Sequence, residues 1–246
     1  MLTALLADIH ANREALNACL ADAKRVGAER YVFLGDLVGY GPDPAWVVDR
    51  VADIVAAGAL AIQGNHDEAA AGDSDTMSAI AHAAIIWTRE RLTPSHRDFL
   101  RALPLDLNED DRLYVHASAS APQDWIYLLS PREAFHSFRA TAQRITFCGH
   151  THIPALYNES ASTLPQEHVP VDGRPMPLLA QRRWIAVLGA VGQPRDHNPA
   201  ACYGIFDETT RRLTYMRVPY DADLTARKIV AAGLPTALAT RLIAGV

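Results

Sequence analysis

Residues 2–35, LTALLADIHANREALNACLADAKRVGAERYVFLG, read as strand, helix and strand. Leu2 to Ala7 is a continuous apolar run with no polar partner face, as in a strand buried on both sides. Asn12 stands where a cap is needed. It opens a helix whose apolar face is Ala15, Leu16, Cys19, Leu20 and Ala23, and Gly27 is its stop. Tyr31 to Leu34 is the next strand. Asp43 and Pro44 read as an N-cap followed by proline at the first helical position. That helix carries Val47, Val48, Val51, Ile54 and Val55 on one side and ends at Gly58, and Leu60 to Ile62 is a third strand. Strands alternating with helices over short connections predict a parallel sheet with right-handed crossovers.

Further along, Ala79 to Leu92 and Pro94 to Leu103 read as helices. Leu113 to Val115 and Ile145 to Cys148 are short strands, with a helix from about Pro131 to Gln143 between them. After Pro154 the pattern becomes all-β. Asp172-Gly173 signals a hairpin, and Ile185 to Val191, Cys202 to Asp207 and Leu213 to Val218 complete a second set of strands. The end is helical: Leu224 to Ala232, Gly233 as the stop, then Pro235 opening a last helix. No linker, repeat or low-complexity segment interrupts the 246 residues, so one domain over 1–246 with two sheets and outer helices is expected.

Composition narrows the classes. Hydrophobic residues are 49% and charged residues 21%, which excludes a disordered chain, a collagen and a coiled coil. The net charge of −5 argues against a dedicated nucleic-acid binder, whose affinity comes from neutralising phosphates. Cys19, Cys148 and Cys202 are an odd, sparse set without C-x-x-C spacing, which points to a reducing compartment. The apolar N-terminus lacks a basic leader region, and the greasiest stretch, Val51 to Ile62, is interrupted by Asp53 and Gly58 and is too short to span a membrane. A soluble, cytoplasmic protein without a membrane partner is expected.

Five chain segments bring metal-ligand side chains to the ends of predicted strands: Asp8-Ile9-His10, Gly35-Asp36, Gly64-Asn65-His66-Asp67, His116 and Gly149-His150-Thr151-His152. In α/β sheets the carboxyl ends of the strands form the functional edge. If the chain stays extended, Asp8 and His10, or His150 and His152, point the same way and grip one ion or two adjacent ions.

In that order, these motifs resemble the calcineurin-like metallophosphoesterase superfamily. Gly35-Asp-Leu-Val-Gly-Tyr-Gly-Pro-Asp-Pro44, Val191-Gly-Gln-Pro-Arg-Asp196 and the final helices are similar to a bacterial subgroup of it, so the resemblance covers nearly the whole chain. It implies a four-layer αββα sandwich with two mixed β-sheets, an α/β fold. It also implies a dinuclear metal site, with Asp8, His10 and His152 on a first metal, Asn65, His116 and His150 on a second, and Asp36 bridging both. Mixed nitrogen and oxygen ligands favour divalent Mn, Fe, Zn, Co or Ni over Mg or Ca. With two aspartates and a bridging hydroxide, two divalent ions leave the site near +1, suited to a phosphate anion.

The activity implied is hydrolysis of a small phosphoester, a phosphomonoester or a phosphodiester, by a metal-activated hydroxide. His66 is the candidate general acid, with Asp67 orienting its imidazole. Other readings are a non-catalytic, metal-bound scaffold for protein partners, and a nuclease of the same fold. Ala11 and Ala117 stand where relatives commonly have glycine. The gripping arginines of protein Ser/Thr phosphatases are replaced by Gly39-Tyr40-Gly41 and Gln63.

Several residues carry a functional and a bland reading side by side. Arg195 is either a substrate contact or half of a structural Arg–Asp loop pair with Asp196. Tyr40 is either a substrate contact or turn packing. Trp125 to Leu129 is either an aromatic pocket wall or core. Cys148 reads as a small buried hydrophobe. His82, His96, His136, His168 and His197 read as solvated or helix-surface histidines, and Arg182-Arg183 and Arg211-Arg212 as solvated charge pairs. Ala119 to Ser130, Asp67 to Thr76 and Gln193 to Asn198 are candidates for the specificity rim. The oligomeric state is not legible in the sequence.

Overall fold

A computed structural model describes residues 1–72, 77–159 and 164–246. The Asp73–Thr76 part of the expected rim therefore lies outside the described residues. The first sheet contains β1 (Leu2–Leu6), β2 (Arg30–Phe33), β3 (Leu60–Ala61), β9 (Met176–Pro177), β11 (Ala201–Asp207) and β12 (Arg212–Val218), in the order β3-β2-β1-β11-β12-β9. β1, β2 and β3 are parallel, as their alternation with α1 (Arg13–Arg25) and α2 (Pro44–Ala56) predicts, and β11, β12 and β9 add antiparallel. The second sheet runs β4 (Asp106–Glu109), β5 (Arg112–Val115), β6 (Ile145–Cys148), β10 (Trp184–Val187), β7 (Ala155–Asn158), β8 (Gln166–His168), and is also mixed.

The strand alternation sorts side chains between layers. Leu5 and Ala7 of the β1 segment, with Val32 and Leu34, meet Tyr114, Phe147, Leu156, Trp184 and Ala186 between the sheets. Ala4, Leu6 and Phe33 point the other way, onto Leu16 and Cys19 of α1 and Val47 and Val51 of α2. The outer face of the second sheet, with Val115, Cys148, Tyr157 and Ile185, is covered by Ala134 and Phe138 of α6 (Pro131–Ala140). The layers are thus helix, sheet, sheet, helix, as the resemblance implies. α3 (Asn65–Ala71) and α5 (Pro94–Ala102) extend the first helical layer. α4 (Ala79–Arg89), α7 (Ala222–Ala231) and α8 (Thr236–Ala244) form a satellite core around Leu238 and Leu242.

Asn12 caps α1 as read: its side chain accepts from the Ala15 amide at 3.1 Å. Asp43 does not cap α2; its carboxylate is drawn away by Lys228 of α7. Asp172-Gly173 is a turn but closes no hairpin. The strands on either side, β8 and β9, belong to different sheets, and the Gly173 amide donates to the Tyr215 carbonyl at 2.8 Å. The chain crosses between layers there. β4 was not legible: Asp106–Glu109 pairs with β5 across Asp110-Asp111, and Glu109 meets Arg30 at 2.6 Å. Arg183 is not simply solvated. It donates to the carbonyls of Phe138, Thr141 and Gln143 around the end of α6. Among the described residues, no helix is long and apolar enough to cross a membrane.

Candidate metal centre

The loops after β1, β2, β3, β5 and β6 converge on one edge. Ligand atoms of Asp8, His10, Asp36 and His152 lie within 4.8 Å of one another, as do those of Asp36, His116 and His150, and Asp36 belongs to both groups. Asp8, His10, Asp36, His116, His150 and His152 are all at most 4% exposed. The convergence does not come from extended backbone, as the sequence suggested. Asp8, His10, Asp36, His150 and His152 have φ of 55°, 48°, 54°, 70° and 62°. Left-handed turns, at a cost of roughly 1–2 kcal/mol per residue, swing each side chain inward. Ala11 shares this conformation at φ 51°, in place of a glycine that adopts it without cost.

Main-chain contacts aim each group. Asp36 Oδ1 accepts from the His66 amide at 2.8 Å, at the start of α3. Its Oδ2 lies 3.4 Å from His116 Nε2 and 3.6 Å from His10 Nε2, between the two groups. Asp8 accepts from the His150 amide, and its Oδ1 is 3.4 Å from His152 Nε2. Gly64 lets this assembly close: a Cβ there would strike Asp36.

The imidazoles are set for metal. Nδ1 of His10, His116 and His152 donates to the carbonyls of Val38, Leu34 and Gln193 at 3.1, 2.7 and 2.7 Å. With the proton held on Nδ1, each Nε2 lone pair faces inward. His10 Nε2 and His152 Nε2 then stand 3.0 Å apart, an opposition that a cation relieves. Buried His116 Nε2, His150 Nε2 and Asn65 Oδ1 have no hydrogen-bond partner. Buried acceptors without partners are rare in folded proteins. These residues therefore fit bound metal cations.

The charges of the centre act differently on each group. Burial would raise the pKa of Asp36, but His116, His66 and His10 hold it well below the usual carboxylate range. Burial pulls His116 down, while Asp36 and Asp8 overcome it and push it to about 9, so the metal-free centre protonates His116 and a bound cation takes the place of that proton. His150, dominated by burial and then repelled by His116, falls to about 3 and stays neutral, as a ligand must.

His66 and Tyr40 border the centre. The His66 ring lies 4.8 Å from that of His10 and 4.4 Å from that of Tyr40, and its Nδ1 is buried without a partner. Asp67 does not orient it. Asp67 Oδ1 accepts from the amides of Leu37 and Val38 and Oδ2 from Gly64, so it ties the Asp36 loop to α3 instead. Arg195 and Asp196 part company: Asp196 pairs with Arg217, while Arg195 donates to Gln193 Oε1 at 3.1 Å and lies 5.8 Å from the Tyr40 ring centre.

In the Trp125 to Leu129 segment, Trp125 and Tyr127 form a wall, while Leu128 packs in the core. Tyr127 stacks on His150 at 3.9 Å, and Trp125 meets His116 edge-on at 5.8 Å. With Asn65, Glu68, Met77, Asp124 and His150 they line a cavity of about 260 Å³ beside the centre. Glu68 lies within the expected rim from Asp67 to Thr76. It accepts from the Trp125 indole at 3.1 Å, a contact that only the fold brings about. Outside the site, His168 bonds to Asn158 and His96 to Asp49, and Cys148 is a buried thiol with its pKa raised by burial.

A family model for the calcineurin-like phosphoesterase superfamily domain matches residues 1–211. An uncharacterised protein of Methanocaldococcus jannaschii, MJ0912, is 34% identical over 99% of this chain and 98% of its own. The crystal structure of a metallophosphoesterase from Sphaerobacter thermophilus superposes with a TM-score of 0.91 at 38% identity, over 100% of this chain and 99% of the other. A hypothetical protein from Pyrococcus horikoshii, PH1004, shares the fold with a TM-score of 0.80 at 22% identity, over 100% and 98%. The match over residues 1–211 and the end-to-end likeness to the archaeal protein place this chain in the calcineurin-like phosphoesterase superfamily.

Proposed function

We propose that residues 1–246 act as one metal-dependent phosphoesterase domain on a small phosphoester. The observation that carries this reading is the position of Asp36, shared by two ligand groups, beside His116 Nε2, His150 Nε2 and Asn65 Oδ1, which lack protein hydrogen-bond partners. Asp8, His10, Asp36 and His152 would hold one divalent ion, and Asp36, Asn65, His116 and His150 a second. When bound, such a pair supplies Lewis acidity and an activated water.

The chain's own groups do the rest. Asp36 is fixed by the His66 amide and stays ionised, so it serves both positions. The His66 imidazole is the acid for the leaving oxygen. Burial lowers its pKa to about 4, so the free site holds it neutral, and it takes its proton when an anionic phosphate comes alongside. Tyr40 covers the His10 and His66 rings and limits water there. Mono- and diester turnover both remain within this reading.

The test is metal reconstitution. Protein stripped by chelation and reloaded with Mn²⁺ is expected to turn over p-nitrophenyl phosphate or its bis ester. Asp36→Asn is expected to lose at least about 100-fold in kcat, the order of loss when one preorganised electrostatic group is taken from an active site. Full activity in the Asp36→Asn variant, or none in reloaded wild type, rejects the reading.

A further inference from the structure

The guanidinium of Arg195 has no carboxylate partner within ion-pair distance among the described residues, because its neighbour Asp196 is taken by Arg217. Unpaired arginines held close to a buried centre are uncommon unless they meet an anion. The loop that carries Arg195 is locked to the centre. Gln193 accepts from His152 Nδ1 at 2.7 Å, and the Arg195 amide donates to the His152 carbonyl at 3.2 Å. Arg195 therefore cannot drift without disturbing a proposed ligand.

Its head is held by Gln193 Oε1 and faces two tyrosines. Its guanidinium lies 5.8 Å from the Tyr40 ring centre, and its charge acts on the phenols of both Tyr40 and Tyr127. Tyr40 stands on the rings of His10 and His66, whereas Tyr127 is stacked on His150. The two tyrosines thus belong to opposite ligand groups, and Arg195 bridges them across the mouth.

We propose that Arg195, steadied by Tyr40 and Tyr127, is the phosphate-gripping residue of this site and selects phosphomonoesters over phosphodiesters. The inference rests on the phosphoesterase reading above. A monoester has three unesterified oxygens and a diester two. A centre that engages two oxygens leaves one for Arg195 only in the monoester. The neutral tyrosine hydroxyls position the guanidinium without neutralising it, so its charge stays available to that oxygen.

The experiment compares wild type, Arg195→Gln, Arg195→Lys and the Tyr40→Phe/Tyr127→Phe pair in Mn²⁺-loaded protein. Calorimetry measures inorganic phosphate binding, and kinetics measure p-nitrophenyl phosphate against bis-p-nitrophenyl phosphate. Arg195→Gln is expected to weaken phosphate about 30-fold, the factor a charge-assisted hydrogen bond supplies. It should lower monoester kcat/KM by a similar factor, mostly through KM, and diester kcat/KM less than about 3-fold. Arg195→Lys should recover part of the loss, and the double Phe variant should lose less than Arg195→Gln, with Mn²⁺ stoichiometry equal in all.

Phosphate affinity unchanged in Arg195→Gln, or equal losses on both esters, overturns the proposal while the enzyme reading stands. Arg195-dependent phosphate binding in a protein that turns over neither ester supports the grip and rejects the enzyme reading. A wild type that binds no phosphate overturns the grip.

Discussion

His66 shows how much a single residue here depends on its surroundings. It follows Asn65, its amide holds Asp36, and its ring sits between His10 and Tyr40. If it protonates the leaving oxygen, the need for it scales with how poor the leaving group is. His66→Ala is expected to cost about 100- to 1,000-fold on alkyl phosphates and under about 10-fold on nitrophenyl phosphate, within the usual range for general acid catalysis. Steady-state kinetics on the two substrates decide it; equal losses would remove the acid role. Asp67 gives the contrary lesson. Adjacent in sequence to His66, it looked like its partner, but its hydrogen bonds go to the main chain of Leu37 and Val38 and of Gly64, the cap of its own helix. Burial and the charge of Asp36 raise its pKa to about 7, a sign of how crowded with anions this corner is. Neighbours in sequence at a helix start point in different directions, so adjacency was a poor guide there.

At the scale of elements, Asn12 joins three of them. Its Oδ1 caps α1, and its amide nitrogen donates to the Gly192 carbonyl at 2.9 Å and approaches the Tyr220 hydroxyl at 3.2 Å. Gly192 begins the turn that carries Gln193 and Arg195, so one cap ties a helix to the mouth of the site. Asn12→Ala is expected to lose about 2–3 kcal/mol of stability, from the missing cap and the stranded carbonyl together. Asn12→Ser should lose only about half as much, because a serine caps but does not reach Gly192. Urea unfolding of the three proteins measures this, and identical losses in both variants would mean that the cap contributes nothing. The cap was readable because it is local, three residues from its partner. The hairpin of β4 and β5 was not, because Asp106–Glu109 carries only Leu107 as an apolar signal. Its pairing is secured by charges from elsewhere: Arg30 on Glu109, and Arg112 on Glu208. The Asp172-Gly173 turn was recognised correctly, but a turn signal carries no information about which sheet the next strand joins.

Over the whole molecule, the C-terminal helices are fastened to the first helical layer by charge as well as by apolar packing. Lys228 of α7 meets Glu14 of α1 at 2.9 Å and also Asp43 at the start of α2. Burial alone would raise the Glu14 pKa, but hydrogen bonds from Lys228 and Thr225 hold it below its ordinary value near 4.5. A carboxylate whose pKa is lowered by folding contributes stability above its unfolded pKa and loses it as pH falls through the folded one. The tie is therefore fully present at neutral pH and fades on acidification below about pH 4.5. Lys228→Met is expected to lower the melting temperature at pH 7 and to flatten its fall between pH 5 and 3, roughly the window of this titration. Parallel melting curves for both proteins across that range would show that the contact carries no linkage.

What could be read along the chain was whatever depends on near neighbours or on composition. Apolar runs, caps and stop glycines placed β1, α1, β2 and α2, and the family resemblance carried by five ordered motifs implied two ligand groups and the layered α/β fold. Periodicity and capping are enforced within a few residues, so they leave their mark in the chain itself. The aim of each ligand depended on contacts 28 to 142 residues apart, such as His10 with Val38 and His150 with Asp8. The left-handed turns that swing those ligands inward persist because surrounding contacts over-determine them, and no propensity announces them. The same holds for the roles of Arg195 and Trp125. Which of two plausible partners a side chain takes is settled by packing free energy summed over the folded protein, and only the folded chain contains those contacts.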